Sequence, residues 1–261
     1  MGVIIRAERV SFSYLRPNGT ELQVLQDLDL EIEEGSFVTI VGPSGCGKST
    51  LLNLVAGLLF PSSGAIYYRD AQIQGPRPEI GYMTQKDTLM PWRTILTNVE
   101  MPLELRGVDR ELRRQRAQEL LQLVGLAGFA HHYPRQLSGG MLRRASLART
   151  LCAEPETLLM DEPFGAIDAQ LRLELQNELL RLWSGSGKTV IFVTHDIEEA
   201  IALADRVIVF GLPGRIIHDE QITLPRPRDA VKIRFSPAFA AIHERVWNAV
   251  MTARRRQGGT E

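Results

Sequence analysis

The chain has 261 residues, of which 44% are hydrophobic and 23% charged, so it can bury a core and is not a disordered chain. Its net charge of −1 argues against a nucleic-acid-binding protein that works by bulk electrostatics. No secretory signal is expected, because the first residues lack a basic segment followed by an apolar core. The longest apolar stretch, residues 51–60, is too short to span a bilayer, so any membrane contact is expected to come through a partner. The separated cysteines, Cys46 and Cys152, predict reduced thiols and no zinc site or disulfide framework.

The first third of the chain is predicted to contain strands. Residues 3–14 and 28–32 alternate apolar and polar side chains, most strictly in residues 28–32, as half-buried strands do. The run Arg16-Pro17-Asn18-Gly19 predicts a turn between them. An antiparallel β subsheet is therefore expected at the N-terminus.

A parallel core is predicted next. Residues 37–41 form a short, almost continuous apolar run with Thr39 at its centre, which is typical of a strand buried on both faces. A Gly-rich loop and a helix follow, and the helix is predicted to place Leu51, Leu54, Val55 and Leu58 on one face. Similar strands are predicted at residues 158–160, 190–193 and 207–210. This order predicts an α/β fold with a mainly parallel sheet.

A helical insertion is predicted within that core, at residues 87–151. Ala117, Leu120, Leu121 and Val124 recur at helical spacing. Residues 224–228 (Leu-Pro-Arg-Pro-Arg) predict a stiff linker, and residues 237–254 predict an amphipathic helix. We therefore expect one domain, with residues 1–86 and 152–224 as its core, 87–151 as a helical subdomain, and 225–261 as linker and C-terminal helix.

The loop after the first buried strand matches the phosphate-binding P-loop pattern, Gly42-Pro43-Ser44-Gly45-Cys46-Gly47-Lys48-Ser49. Glycines allow the backbone N–H groups to face phosphate oxygens, and the following helix N-terminus adds positive potential. Lys48 is predicted to reach the β- and γ-phosphates, the Ser49 hydroxyl to ligate Mg²⁺, and Thr50 to belong to the same nucleotide site. A chance Gly-rich turn is the alternative, and the strand before the loop and helix after it argue against chance.

Two acids follow the predicted strand at residues 158–160. Asp161 is expected to hold Mg²⁺, and Glu162 to orient and polarise the attacking water. Two acids after a strand are weak evidence alone, because a helix N-terminus also favours acids. Downstream of a P-loop the catalytic interpretation is much the stronger.

A second Gly-rich helix start occurs at Leu137-Ser138-Gly139-Gly140-Met141. Ser138 could be a simple helix N-cap. The Ser138, Gly139 and Gly140 turn could also be a second phosphate cradle. One nucleotide does not need two such cradles in one chain, but two chains packed head to tail would each offer this turn to the other's P-loop.

With these motifs the chain resembles the ATP-binding subunits of ABC transporters over nearly its whole length. Further positions match the family pattern in order. They are Tyr14, expected to stack on adenine, Gln85 of the Gln loop, Asp168 in Ala166-Ile167-Asp168, which crosses the dimer interface, and His195, the switch histidine near the γ-phosphate. Each is weak alone, and their order and spacing carry the resemblance.

The resemblance implies a P-loop NTPase fold and an ATPase that uses ATP and Mg²⁺. Glu162, His195 and Gln85 are its expected catalytic residues, and Ser49, Gln85 and Asp161 its expected metal ligands. A dimer of two such subunits would sandwich two ATP molecules. Integral-membrane permease subunits and a periplasmic or surface substrate-binding protein are the other implied partners, at the cytoplasmic face of the inner membrane. No nucleic-acid partner is expected.

The chain departs from the family pattern near the second Gly-rich turn. Met141 stands where many relatives have Gln or Glu, and Gln is also absent from Leu142-Arg143-Arg144. Ile167 replaces the usual Leu, a mild apolar change. Activity is expected to survive the changes at Met141 and in residues 142–144, because neither position should touch phosphate directly.

A narrower resemblance, to importers of nitrate, sulfonates and taurine, is carried by residues 90–96, by Met141 and by the tail, residues 224–229. Related importers take aromatic carboxylates or pyrimidine precursors, so the substrate stays open. The alternatives are a soluble ABC ATPase that acts on DNA or ribosomes, and a P-loop kinase or GTPase. The first would be expected to carry a coiled-coil insertion or a second cassette, and the Ser138 turn argues against the others.

A permease-docking segment is predicted at Leu89-Met90-Pro91-Trp92-Arg93, shortly after Gln85. It would form a groove for a short cytoplasmic helix of the permease. The alternative to a docking segment is an ordinary buried Trp and Pro at a helix start.

Overall fold

Two β-sheets and seven α-helices are formed by residues 2–86, 88–165 and 167–255, the part of the chain that the computed structural model describes. The strands are β1 (Val3–Leu15), β2 (Glu21–Glu33), β3 (Phe37–Val41), β4 (Ser63–Tyr68), β5 (Ala71–Gln72), β6 (Ile80–Met83), β7 (Thr157–Asp161), β8 (Thr189–Val193), β9 (Arg206–Gly211) and β10 (Arg215–Gln221). The helices are α1 (Lys48–Val55), α2 (Ile95–Leu105), α3 (Arg110–Leu123), α4 (Gly139–Cys152), α5 (Ala169–Trp183), α6 (Ile197–Leu203) and α7 (Pro237–Arg255).

The antiparallel subsheet has the strand order β2-β1-β4-β5. Its two long strands pair from Val3 opposite Glu33 to Leu15 opposite Glu21. The predicted antiparallel sheet is thus confirmed, but β2 begins seven residues before the predicted position. The residues from Glu21 to Gln23 are all exposed, so their side chains do not alternate between buried and exposed positions. They form a strand because they pair with β1.

The second sheet has the order β10-β9-β3-β8-β7-β6. Neighbouring strands are parallel except β10, which pairs antiparallel to β9. Every residue of β3, β7 and β8 is buried, as expected for strands covered on both faces. The predicted α/β class with a mainly parallel sheet is confirmed.

Three helices between β6 and β7 form a block. Each begins at a side-chain cap, namely Thr94 for α2, Asp109 for α3 and Ser138 for α4. The predicted apolar face of α3 is buried, with Ala117 and Leu121 fully covered. We propose that this block is the inserted subdomain. Its predicted first residue, Asp87, lies outside the described residues.

The prediction that Leu58 shares the buried face of α1 is wrong. The helix ends at Val55, and Leu58 is 53% exposed. Gly57 explains the end of the helix, because its φ is +71° and a Cβ there would lie 2.2 Å from the Gly75 carbonyl oxygen. The chain therefore turns in a conformation that suits glycine.

The predicted stiff linker does not act as a spacer. Arg228 is buried and donates to the carbonyl oxygen of Leu224 at 2.8 Å and to that of Ala204. The Arg226 guanidinium lies 4.3 Å from the Trp183 ring centroid. These arginines attach the segment to the α5 and α6 side of the core, so α7 is held against the body of the protein.

The C-terminal helix α7 covers almost the predicted interval and packs on β9, β10 and α6. Its apolar stripe, including Phe239, Val246 and Val250, is buried. Within residues 2–86, 88–165 and 167–255, no helix combines the length and the apolar character needed to cross a membrane.

Candidate functional site

The predicted chemical residues follow the carboxyl ends of parallel strands. The P-loop follows β3, Gln85 follows β6, Glu162 follows β7 and His195 follows β8. Because these strands are parallel and lie in one sheet, their carboxyl ends share an edge, where ligands bind in open α/β sheets. Chain segments far apart in sequence thus meet at one site.

The P-loop is a tight turn in which the lysine side chain binds main-chain carbonyl groups of the loop itself. Lys48 Nζ donates to the carbonyl oxygens of Gly42 at 2.9 Å and Pro43 at 3.0 Å. Gly47 has a φ of +98°, and a Cβ there would lie 2.9 Å from the Val24 carbonyl oxygen. The loop therefore packs tightly against β2, with the ammonium group beneath it and the N-terminus of α1 at its end.

A pocket of about 400 Å³ lies over this loop. Its lining combines Tyr14 and Val24 of the antiparallel sheet, Lys48 and Ser49 of the P-loop, and Gln85 and Glu162 from the parallel sheet. Tyr14 is 42% exposed at the pocket, so its ring is free to stack on a planar group. The two sheets together therefore form one site with an aromatic end and a phosphate-binding end.

Asp161 is a buried carboxylate at the base of the site, 2% exposed. Desolvation raises its pKa, and the hydrogen bond from Ser49 opposes this shift. Its Oδ1 atom has no hydrogen-bond partner within the described residues. A buried oxygen without a partner beside a serine hydroxyl fits a hard cation.

Glu162 adopts a left-handed backbone conformation, with φ of +48°, which costs a non-glycine residue on the order of 1 kcal/mol. Its Oε2 accepts a hydrogen bond from Gln85 Nε2 at 3.3 Å. Its Oε1 lies 3.7 Å from His195 Nδ1. The structure thus brings together the three side chains that the sequence assigns to catalysis.

The second Gly-rich turn lies elsewhere. Ser138 is the N-cap of α4, and its Oγ accepts from the Met141 N–H at 3.4 Å. Among the described residues, those lining the pocket include none of Ser138, Gly139 and Gly140. The turn is exposed or half-buried.

Asp168, like Ser138, is a helix N-cap outside the described residues that line the pocket. It is the exposed N-cap of α5 and accepts from the Leu171 N–H at 3.0 Å. Ile167 is buried, as an apolar replacement should be. Ala166, the first residue of this predicted loop, lies outside the described residues.

Arg143 is a residue of the site that the sequence motifs did not indicate. This side chain is 4% exposed and donates to the carbonyl oxygens of Gln85 at 3.0 Å and Glu162 at 2.8 Å. The sequence feature that could have indicated it is the absence of Gln from Leu142-Arg143-Arg144. That absence does not predict which groups the arginine side chain contacts.

Comparison with known proteins supports the resemblance to ABC transporter ATP-binding subunits. The sequence pattern of the ABC transporter family matches residues 25–165. An uncharacterised ABC transporter ATP-binding protein of Methanocaldococcus jannaschii is 49% identical over 84% of this chain and 82% of its own. The taurine import ATP-binding protein TauB of Yersinia pestis is 43% identical over 88% of this chain and 92% of its own.

Solved structures show the same architecture. A dimeric ATP-binding cassette in a post-hydrolysis state, bound to ADP and phosphate, superposes with a TM-score of 0.78. It is 34% identical and covers 85% of this chain and 100% of its own. The chain belongs to the ABC transporter family, as one of its ATP-binding subunits, and ATP hydrolysis is its activity.

Proposed function

We propose that this chain powers a membrane importer for nitrate, a sulfonate, taurine or a similar small anion. The pocket that joins Tyr14, the P-loop, Gln85 and Glu162 carries the ATPase part of the proposal. The similarity to TauB and the residues that resemble the nitrate, sulfonate and taurine group support the substrate class. A soluble ABC ATPase is the second candidate, and no observation favours it.

In this proposal the pocket holds ATP with its base toward Tyr14. The triphosphate lies along the backbone N–H groups of residues 42–50, where the N-terminus of α1 favours negative charge. Lys48 exchanges a carbonyl contact for a phosphate oxygen, which gains a charge-assisted hydrogen bond.

Magnesium fits beside the phosphates. Ser49, Asp161 and Gln85 would hold it through oxygen atoms, the ligands it prefers. When bound, Mg²⁺ neutralises charge that develops on the phosphates. The unpartnered Oδ1 of Asp161 is the observation that supports this site.

Glu162 orients the attacking water and accepts its proton as general base. His195 is 66% exposed in its side chain, so it can turn from Glu162 toward a γ-phosphate. Gln85 donates to the other carboxylate oxygen of Glu162. A change in the conformation of the loop after Gln85 would therefore alter the position of the Glu162 carboxylate.

A second copy of the chain completes each site. Its Ser138, Gly139 and Gly140 supply the second phosphate cradle, and its Asp168 lies at the interface. The similarity to dimeric cassettes supports this arrangement. ATP binding closes the pair, and hydrolysis opens it.

The remaining partners are permease subunits and a substrate-binding protein outside the membrane, and we place this subunit at the cytoplasmic face. Trp92 is 72% exposed, which contradicts the alternative of an ordinary buried tryptophan. This exposed ring, close in sequence to Gln85, supports docking of a permease helix at residues 89–93.

The deciding experiment is growth of a deletion strain on single sources of sulfur or nitrogen. We expect loss of growth on one sulfonate, on taurine or on nitrate, restored by the wild-type gene but not by Lys48→Ala, which loses a phosphate contact. Normal growth on all of these sources would refute the substrate class. It would not touch the ATPase assignment, which is measured on the purified subunit.

A further inference from the structure

Arg143 is buried among main-chain carbonyl groups of two separate motifs. Its guanidinium donates to Thr84 and Gln85 of the Gln loop. It also donates to Asp161, to Glu162 at 2.8 Å and to Pro163 at 3.2 Å. One side chain thus ties α4 to both segments that carry the predicted catalytic groups.

The charge of Arg143 is compensated by these carbonyl groups. A buried cation is costly unless hydrogen bonds replace its lost hydration, and here carbonyl oxygens supply them. The same contacts that compensate the charge therefore hold the two motifs in place.

The strained backbone of Glu162 depends on these contacts. Its φ of +48° persists only if neighbouring groups hold it. Arg143 donates to the carbonyl oxygen of Asp161 and to that of Glu162 itself. The Glu162 N–H donates to the Val193 carbonyl oxygen at 2.9 Å. Without the guanidinium, the peptide can rotate toward an ordinary conformation and carry the carboxylate away from Gln85.

The helix that carries Arg143 begins at Ser138, in the turn that the proposed function assigns to the nucleotide of the partner chain. We propose that Arg143 is a positioning residue that couples the two ATP sites of the dimer. Pressure of the partner's nucleotide on the Ser138 turn moves α4, and Arg143 transmits the movement to Gln85 and Glu162 of its own chain. This inference rests on the proposed function.

Arg144, the next residue, provides a matched control. It is also an arginine of α4 that donates to main-chain carbonyls, but those belong to Val124 at 2.8 Å and Gly125 at 3.3 Å, after α3. Within the described residues, its hydrogen bonds go to neither Gln85 nor Glu162. Replacing either arginine removes a guanidinium group that donates to main-chain carbonyls from α4. Only the replacement of Arg143 removes hydrogen bonds to Gln85 and Glu162.

The test measures ATPase rate against ATP concentration, and binding of a fluorescent ATP analogue, for the purified subunit and its variants. Arg143→Met should lower kcat by about 10- to 100-fold, because a misplacement of about 1 Å can cost about 100-fold. Its Hill coefficient should fall to about 1 from a higher wild-type value, while the Kd for the analogue changes less than about twofold. Arg144→Met should keep both kcat and the Hill coefficient within about twofold of wild type.

Several outcomes would overturn the inference. They are an unchanged kcat and Hill coefficient in Arg143→Met, the same losses in Arg144→Met, or a wild-type Hill coefficient of 1. If Arg143→Met does not fold, Arg143→Gln, which keeps two N–H donors, should show a smaller loss of the same kind, and wild-type behaviour in it would count against coupling. Absence of hydrolysis by the wild-type protein would instead refute the proposed function.

Discussion

At the scale of single residues, the chemistry depends on a few side chains held in unusual environments. Asp161 is buried with a raised pKa, and Glu162 has a left-handed backbone. Both features cost free energy in the folded protein. Strain and burial of this kind concentrate at functional sites, and here they fall on the acids that the sequence motif also marks.

Replacement of Glu162 tests its role as the base. We expect Glu162→Gln to hydrolyse ATP on the order of 10²- to 10⁴-fold more slowly, because general-base assistance is lost. Affinity for ATP should be retained, since the P-loop is unchanged, and Lys48→Ala serves as the control that loses binding. A steady-state phosphate-release assay and a nucleotide titration measure the two quantities, and a wild-type hydrolysis rate in Glu162→Gln would show that another group is the base.

At the scale of elements, α7 is attached to the edge of the parallel sheet by an ionic contact. Glu220 on β10 accepts from Arg245 on α7 at 2.6 Å and lies 2.8 Å from His218 Nε2. The Glu220 side chain is 12% exposed, so the contact is partly shielded from solvent. The Arg245 hydrogen bond is the main cause that lowers the pKa of Glu220, and His218 adds to it.

This contact predicts a pH-dependent stability. Because the pKa of Glu220 is lower in the folded protein, its contribution is complete above the ordinary value of 4.5 and is lost as pH falls through the folded pKa. Glu220→Gln should therefore lower the free energy of unfolding by about 1 kcal/mol at about pH 7, measured by urea unfolding. The difference from wild type should shrink below the ordinary pKa.

The exposed Glu244 on the same helix provides the control for that measurement. Glu244→Gln should change the free energy of unfolding by less than about 0.5 kcal/mol at every pH. A Glu220→Gln difference that stays constant as the pH falls would show that lost packing, and not ionisation, explains the effect.

At the scale of the whole molecule, the Gln loop joins the ATP site to the exposed surface of the helical block. The backbone at Met90 is held by the buried side chain of Asn98, which accepts from the Met90 N–H at 2.7 Å and donates to the Met90 carbonyl at 3.1 Å. Trp92 lies two residues later and is 72% exposed. Arg93 is instead paired with Glu104, so of these two residues Trp92 is the better probe of docking.

Substitution of Trp92 separates ATP hydrolysis from transport. We expect Trp92→Ala to reduce substrate uptake by the assembled transporter at least about tenfold, because a buried interface tryptophan contributes about 2 kcal/mol or more. The ATPase rate of the isolated subunit should stay within about twofold of wild type. Phe235→Ala removes another exposed aromatic ring, 84% exposed and outside the helical block, and should leave uptake unchanged. Equal uptake by both variants would exclude docking at Trp92.

The sequence predicted the main architecture because its signals are local. Apolar runs marked β3, β7 and β8, and alternation marked β1. The P-loop and the acids after β7 were recognisable because neighbouring residues along the chain share the chemistry. β10 has mostly half-buried residues and no apolar run, so its strand depends on pairing with β9 and was not predicted.

Spacing along the chain was enough to identify the family, the α/β class and the candidate site residues. Three features became visible only in the folded protein, namely the contacts of Arg143 with Gln85 and Glu162, the attachment of residues 224–228 to the core by Arg226 and Arg228, and the exposure of Trp92. The physical reason is that a long side chain gives no sign in the sequence of its distant partners. Its hydrogen bonds and burial are fixed only when segments far apart in the chain pack together.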